Sequence, residues 1–113
     1  MLTIYHNPKC KKSREGLKYL QTKGIALEVV NYIINGISEQ ELKDIIKKLN
    51  LSPSDIVRKQ EDLYRKELKG KSFTDIEWMK ILVENPRLIQ RPIVVAKYKA
   101  VIAQPPDKVE ELL

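Results

Sequence analysis

How this chain of 113 residues opens limits what it can fold into: a strand, a turn, a helix and a second strand follow in quick succession. Leu2 to Tyr5 is short, apolar and β-prone, and the turn-forming run His6-Asn7-Pro8 stops it. Cys10 to Leu20 reads as a helix, with Gly24 placed where a C-cap glycine is expected. Leu27 to Tyr32 then reads as a strand, which completes a βαβ unit.

The middle of the chain is helical. Ser38 and Glu41 form a capping box ahead of Leu42, Ile45, Ile46 and Leu49, which recur at i, i+3, i+4 and i+7. Ser52-Pro53 starts another helix, with Asp55 completing a second box. Thr74 and Glu77 begin a third helix, predicted to carry Ile76, Met79, Leu82 and Val83 on one face and to end at Asn85-Pro86; Trp78 and Met79 read as packing residues. Strands return in Ile93 to Ala96 and Ala100 to Ile102, on either side of a hairpin turn at Lys97-Tyr98-Lys99. Pro105-Pro106 starts a short helix through Val109 and Leu112. The predicted class is α/β. The order β-α-β, helical insert, β-β-α is the thioredoxin-like arrangement with an expanded helical middle, and the length suits one domain over residues 1–113.

Composition narrows the function classes. Hydrophobic residues at 42% and charged residues at 32% are the balance of a soluble globular chain. No apolar run approaches the roughly 18 residues of a membrane span, and the N-terminus reaches His6 before a secretory apolar region can form. A cytoplasmic protein with no membrane partner is therefore expected, as a monomer. The net charge of +6 fits nucleic acid, an anionic small substrate or mere solubility. With aromatics at 6% and no block of five like charges, a local basic site is favoured over nucleic acid. One cysteine and one histidine exclude a disulfide framework and the usual zinc sites, so no metal and no tightly bound cofactor is expected. Any thiol chemistry must take its second sulfur from another molecule.

That single sulfur stands at a telling place. At the junction of first strand and first helix, a Cys10 thiolate faces unpaired backbone N–H groups and the positive end of the helix dipole. Lys9, Lys11, Lys12 and Arg14 surround it in sequence and His6 lies four positions upstream, all favouring the thiolate. A lone cysteine is more often buried and inert, but one flanked by three lysines argues against burial. The same junction can cradle an oxyanion, and a nucleophilic sulfur within it suits attack on the anion's central atom. Ser13 stands where a dithiol enzyme has its second cysteine. A serine there either hydrogen-bonds the thiolate or is an ordinary helix-surface residue, and it cannot resolve a mixed disulfide.

The segment from Ile4 to Arg14, with Ile4-Tyr5-His6-Asn7-Pro8-Lys9-Cys10 at its start, resembles the active-site segment of the glutaredoxin-coupled arsenate reductases. Ile56-Val57-Arg58-Lys59-Gln60 and Asn85 to Val95 resemble that family too, in the right order, so the likeness spans about Leu2 to Pro106. The resemblance implies a thioredoxin-like fold with a helical insert. It implies that Cys10 attacks arsenate or a similar oxyanion, that glutathione serves as co-substrate, and that glutaredoxin clears the glutathione left on Cys10. His6 matches the histidine that helps keep the cysteine ionised, Arg58 and Arg91 match two arginines that hold the oxyanion, and Arg91-Pro92 matches a cis-proline position. One residue departs from the pattern. Typical arsenate reductases of the family carry a third arginine before the proline that follows the last strand, where this chain has Gln104. Loss of that charge should weaken oxyanion binding by about 1–2 kcal/mol in a partly buried site. Gln104 favours a second reading, a glutathione-dependent thiol oxidoreductase without arsenate specificity. A third, a redox regulator of the Spx type that binds RNA polymerase, fits less well because Ser13 replaces the second cysteine of its switch.

Overall fold

Alternation of apolar and mixed residues makes β1 (Leu2–His6) a strand with one buried face, on which Leu2, Ile4 and His6 lie. The computed structural model describes all 113 residues, in two compact units: Met1–Asn35 with Arg91–Leu113, and Gly36–Gln90. In the first unit, β1 leads through the loop at residues 7–10 into α1 (Lys11–Thr22), and β2 (Leu27–Asn31) returns parallel to β1. A single helical turn, α2 (Tyr32–Asn35), comes directly after, so Tyr32 ends up buried as a helical residue and not as the last residue of a strand. β3 (Ile93–Val95) runs antiparallel to β1, and β4 (Ala100–Ile102) runs antiparallel to β3. The four-stranded sheet has the order β2-β1-β3-β4. A tight 3₁₀ segment, Pro106–Leu112, closes the chain.

Leu2, Ile4, Leu20, Val94, Val101, Ala103 and Val109 form the core of this unit, contributed by β1, α1, β3, β4, the residue just after β4 and the closing segment. Burying each of the larger aliphatic side chains is worth about 1.5–3 kcal/mol relative to leaving it in water. Gly16 lets α1 pack directly on Pro92, the residue before β3. A Cβ there would lie 2.6 Å from the Pro92 ring, which leaves room only for a hydrogen.

The second unit is the helical insert. α3 (Glu39–Leu49) starts at the Ser38–Glu41 capping box and buries Leu42, Ile45 and Ile46 against α4 (Asp75–Glu84), which starts at the Thr74–Glu77 box. Two expectations change here. The Ser52-Pro53 start, complete with its Asp55 box, yields only the 3₁₀ turn Pro53–Ile56. On α4 the buried positions are Trp78 and Leu82, while Ile76 is 78% exposed. Ile76 precedes Trp78 by two residues, roughly 200° round the helix, so both cannot face inward. A π-helical turn, Tyr64–Leu68, was not expected from the sequence. No helix of either unit is long and apolar enough to cross a membrane.

Candidate active site

Pairing within the first unit brings three chain segments to one end of the sheet. Tyr5 lies opposite Ile93, so the loop leaving β1 and the residues entering β3 are neighbours. Ile93 also lies opposite Ile102, which sets the residues leaving β4 beside Pro92 and Arg91. The Arg91–Pro92 bond is cis, as the resemblance implied, and so is Gln104–Pro105.

The loop at residues 7–10 is a closed turn. The Asn7 carbonyl accepts from the Cys10 N–H at 3.0 Å, and the Asn7 side-chain oxygen accepts from the Lys9 N–H at 3.0 Å. Arg14 reaches back from α1 and donates to the Pro8 carbonyl at 3.0 Å. Beneath the loop, His6, Asn7 and Ser13 are buried. The Ser13 hydroxyl oxygen lies 2.7 Å from His6 Nδ1 and accepts from the Asn7 N–H at 2.9 Å. Ser13 is 0% exposed, so it is neither a helix-surface serine nor free to turn toward the sulfur: its hydroxyl ties the loop to the helix.

Cys10 occupies the N-cap position of α1 with extended backbone (φ −95°, ψ 124°), partly exposed. Its side chain makes no capping hydrogen bond of ordinary geometry. Burial pushes the thiol up, but the Arg91 guanidinium, hydrogen-bonded to the sulfur, and the N–H groups of Ser13 and Lys12 outweigh it and hold Cys10 below the usual thiol range. The cation responsible is Arg91, itself only 6% exposed, and not the lysines adjacent in sequence, which are exposed. His6 does not supply the charge either. Burial lowers its pKa, a hydrogen bond to the Ser13 backbone opposes this, and Arg14 lowers it further, so the imidazole is neutral at pH 7. It contributes by position, through Ser13.

Gln104 meets Arg91 at the backbone: its side-chain amide donates to the Arg91 carbonyl. Just before it, the Ala103 N–H donates to the Pro92 carbonyl at 2.9 Å. Gln104 also lines a cleft of about 390 Å³ with Lys12, Glu15, Ala103, Pro105 and Pro106. Arg58 belongs to the helical unit. Its N–H donates to the Leu88 carbonyl, its neighbour Val57 bridges Ile89, and its guanidinium is ion-paired with Glu61. No three His, Cys, Asp or Glu side chains come together as a group that could hold a metal ion.

The sequence pattern of the ArsC family matches residues 5–112. The chain belongs to the ArsC family. An arsenate reductase of Neisseria meningitidis is 38% identical over 114 residues, covering 99% of this chain and 97% of its relative. The uncharacterized protein YfgD of Escherichia coli is 41% identical over 112 residues, covering 97% and 94%. The solved structure of an arsenate reductase from Vibrio cholerae superimposes with a TM-score of 0.93 at 40% identity, covering 99% of this chain and 97% of that one. Membership of the ArsC family and the thioredoxin-like fold with its helical insert thus agree with the element order described above.

Cys10, His6 and Ser13, singled out from their positions in the sequence, lie together with Arg91, which only the resemblance singled out; Arg58, the other arginine of the resemblance, lies in the helical unit. Asn7 and Gly16 were passed over. Gly16 had a signal, since a glycine inside a helix costs about 1 kcal/mol against alanine and usually has a packing reason. Asn7 showed only as one of several turn residues.

Proposed function

We propose that this protein is a cytoplasmic arsenate reductase that works through Cys10 with glutathione and glutaredoxin. The observation that carries the proposal is the convergence of the Arg91 guanidinium and two backbone N–H groups on one partly exposed sulfur. That arrangement favours the thiolate over the thiol and holds positive potential where an oxyanion must sit. The Cys10 thiolate attacks arsenic(V) and an oxygen of arsenate leaves as water after protonation, giving a sulfur–arsenic bond. A glutathione thiolate then attacks the Cys10 sulfur. The sulfur–arsenic bond breaks with its electron pair going to arsenic, which leaves as arsenite, and a Cys10–glutathione disulfide remains. The two thiols supply the two electrons. Glutaredoxin attacks the glutathione sulfur and returns Cys10 as thiolate. Arg91 orients the anion by its planar fork, Ser13 and His6 hold the loop, and the cleft beside Lys12 and Gln104 gives the tripeptide room. The role of Arg58 as a second anion ligand rests on the resemblance of Ile56 to Gln60 to the family motif.

The test is arsenate-dependent NADPH oxidation in the presence of glutathione, glutaredoxin and glutathione reductase. Turnover that vanishes in Cys10→Ser is the expected result, and full activity in that variant would overturn the proposal. One observation favours the second reading, a thiol oxidoreductase acting on glutathione mixed disulfides. The amide of Gln104 is turned onto backbone and brings no charge to the anion. Turnover of a glutathione disulfide with no response to arsenate would select it.

A further inference from the structure

The end of β4 grips the entrance of β3 by two successive hydrogen bonds. The Ala103 N–H takes the Pro92 carbonyl at 2.9 Å, and the Gln104 side-chain amide takes the Arg91 carbonyl. The Gln104 N–H donates to the Ile102 carbonyl at 2.8 Å, a tight turn that leaves the side chain to continue the ladder the backbone has abandoned. The first of these bonds is between backbones and does not depend on the side chain at position 104; the second depends wholly on it. On the other side of Arg91, its guanidinium meets the Cys10 sulfur. Arg91 is thus held at its carbonyl by one side chain while its head group serves another, and at 6% exposure it has little freedom to settle elsewhere.

We infer that Gln104 is a positioning residue for this site: through its bond to the Arg91 carbonyl it fixes where the Arg91 guanidinium stands over Cys10. This deepens the reading of Cys10 as the nucleophile and rests on it. Gln104 acts on the thiol only through Arg91, without touching the bound anion.

The inference is tested on the full chain by the pH dependence of Cys10 alkylation with iodoacetamide, which needs no arsenate turnover. Gln104→Met keeps the length of the side chain and removes the donor. It should move the alkylation midpoint up by ~0.5–1 pH unit and slow alkylation at pH 7 several-fold. In an Arg91→Met background the same substitution should add no further shift, because the guanidinium it positions is gone. A superimposable profile for Gln104→Met, or an equal shift with and without Arg91, overturns the inference. Should Gln104→Met fail to fold, the unaltered protein decides by NMR: a Gln104 side-chain amide protected from exchange supports the bond to Arg91, and one exchanging freely overturns it. A parent Cys10 that titrates as an ordinary thiol is a different failure, that of the proposed nucleophile itself.

Discussion

At the scale of single residues the site separates charge from position. Arg91 provides the charge next to Cys10, whereas His6, Asn7 and Ser13 are uncharged at neutral pH and fix the loop. A buried imidazole hydrogen-bonded to a buried hydroxyl resists protonation, because the cation loses solvation that Ser13 cannot replace. This has a consequence for stability. The folded His6 titrates below its ordinary 6.5, so between that value and the folded midpoint the unfolded chain binds the extra proton. The contribution is fully present above pH 6.5 and is lost as the pH falls toward the folded midpoint. Since the chain has one histidine, the effect is separable: denaturant unfolding between about pH 7 and pH 5 should show a loss of stability that His6→Asn reduces. An imidazole NMR titration with its midpoint at or above 6.5 would contradict this assignment.

At the scale of elements, the contact between α1 and the start of β3 is set by one missing methyl group. Gly16→Ala would gain about 1 kcal/mol of helix propensity but places a carbon 2.6 Å from the Pro92 ring, which cannot swing aside as a flexible side chain can. Overpacking of this kind costs about 1–3 kcal/mol, so a net loss is expected, read as a lower urea midpoint together with slower Cys10 alkylation as α1 is displaced from Arg91. A midpoint equal to or above the parent's would show that the helix shifts without cost. Elements were also where the sequence spoke most clearly. Capping boxes at Ser38 and Thr74 have local chemistry that requires no tertiary partner, and both helices begin where those residues predict. Ser52-Pro53-Ser54-Asp55 carries equally good capping chemistry, yet the length of helix beyond a cap depends on packing, and only one turn forms. The inward face of α4 was misjudged for a related reason: Ile76 and Leu82 are both apolar, and only the neighbours of Trp78 decide which faces inward. In the site, Cys10 and its position at the helix start were legible. The neutrality of His6, the burial of Ser13 and the bond from Gln104 to Arg91 were not, since each depends on residues far apart in sequence or on solvent exclusion.

At the scale of the whole molecule, the net charge of +6 and the exposed Lys9, Lys11, Lys12 and Arg14 around the loop favour approach of an anion rather than its final seat. Exposed charges are screened within about 8–10 Å at ordinary ionic strength, while the buried Arg91 is screened far less. Raising the salt from about 20 to 200 mM should therefore lower kcat/KM for an anionic substrate a few-fold and leave kcat nearly unchanged; an equal fall in both would place the salt effect at the chemical step instead. Sheet order also decides when the chemistry can begin. Cys10 lies in the loop after β1, Arg91 lies just before β3 and Gln104 just after β4, with the whole of Gly36–Gln90 separating them in sequence. A locally folded β1–α1 segment holds the sulfur without its cation, and only the long-range pairing of β3 with β1 brings Arg91 to it. The full acidity of the thiol is thus a product of the finished sheet.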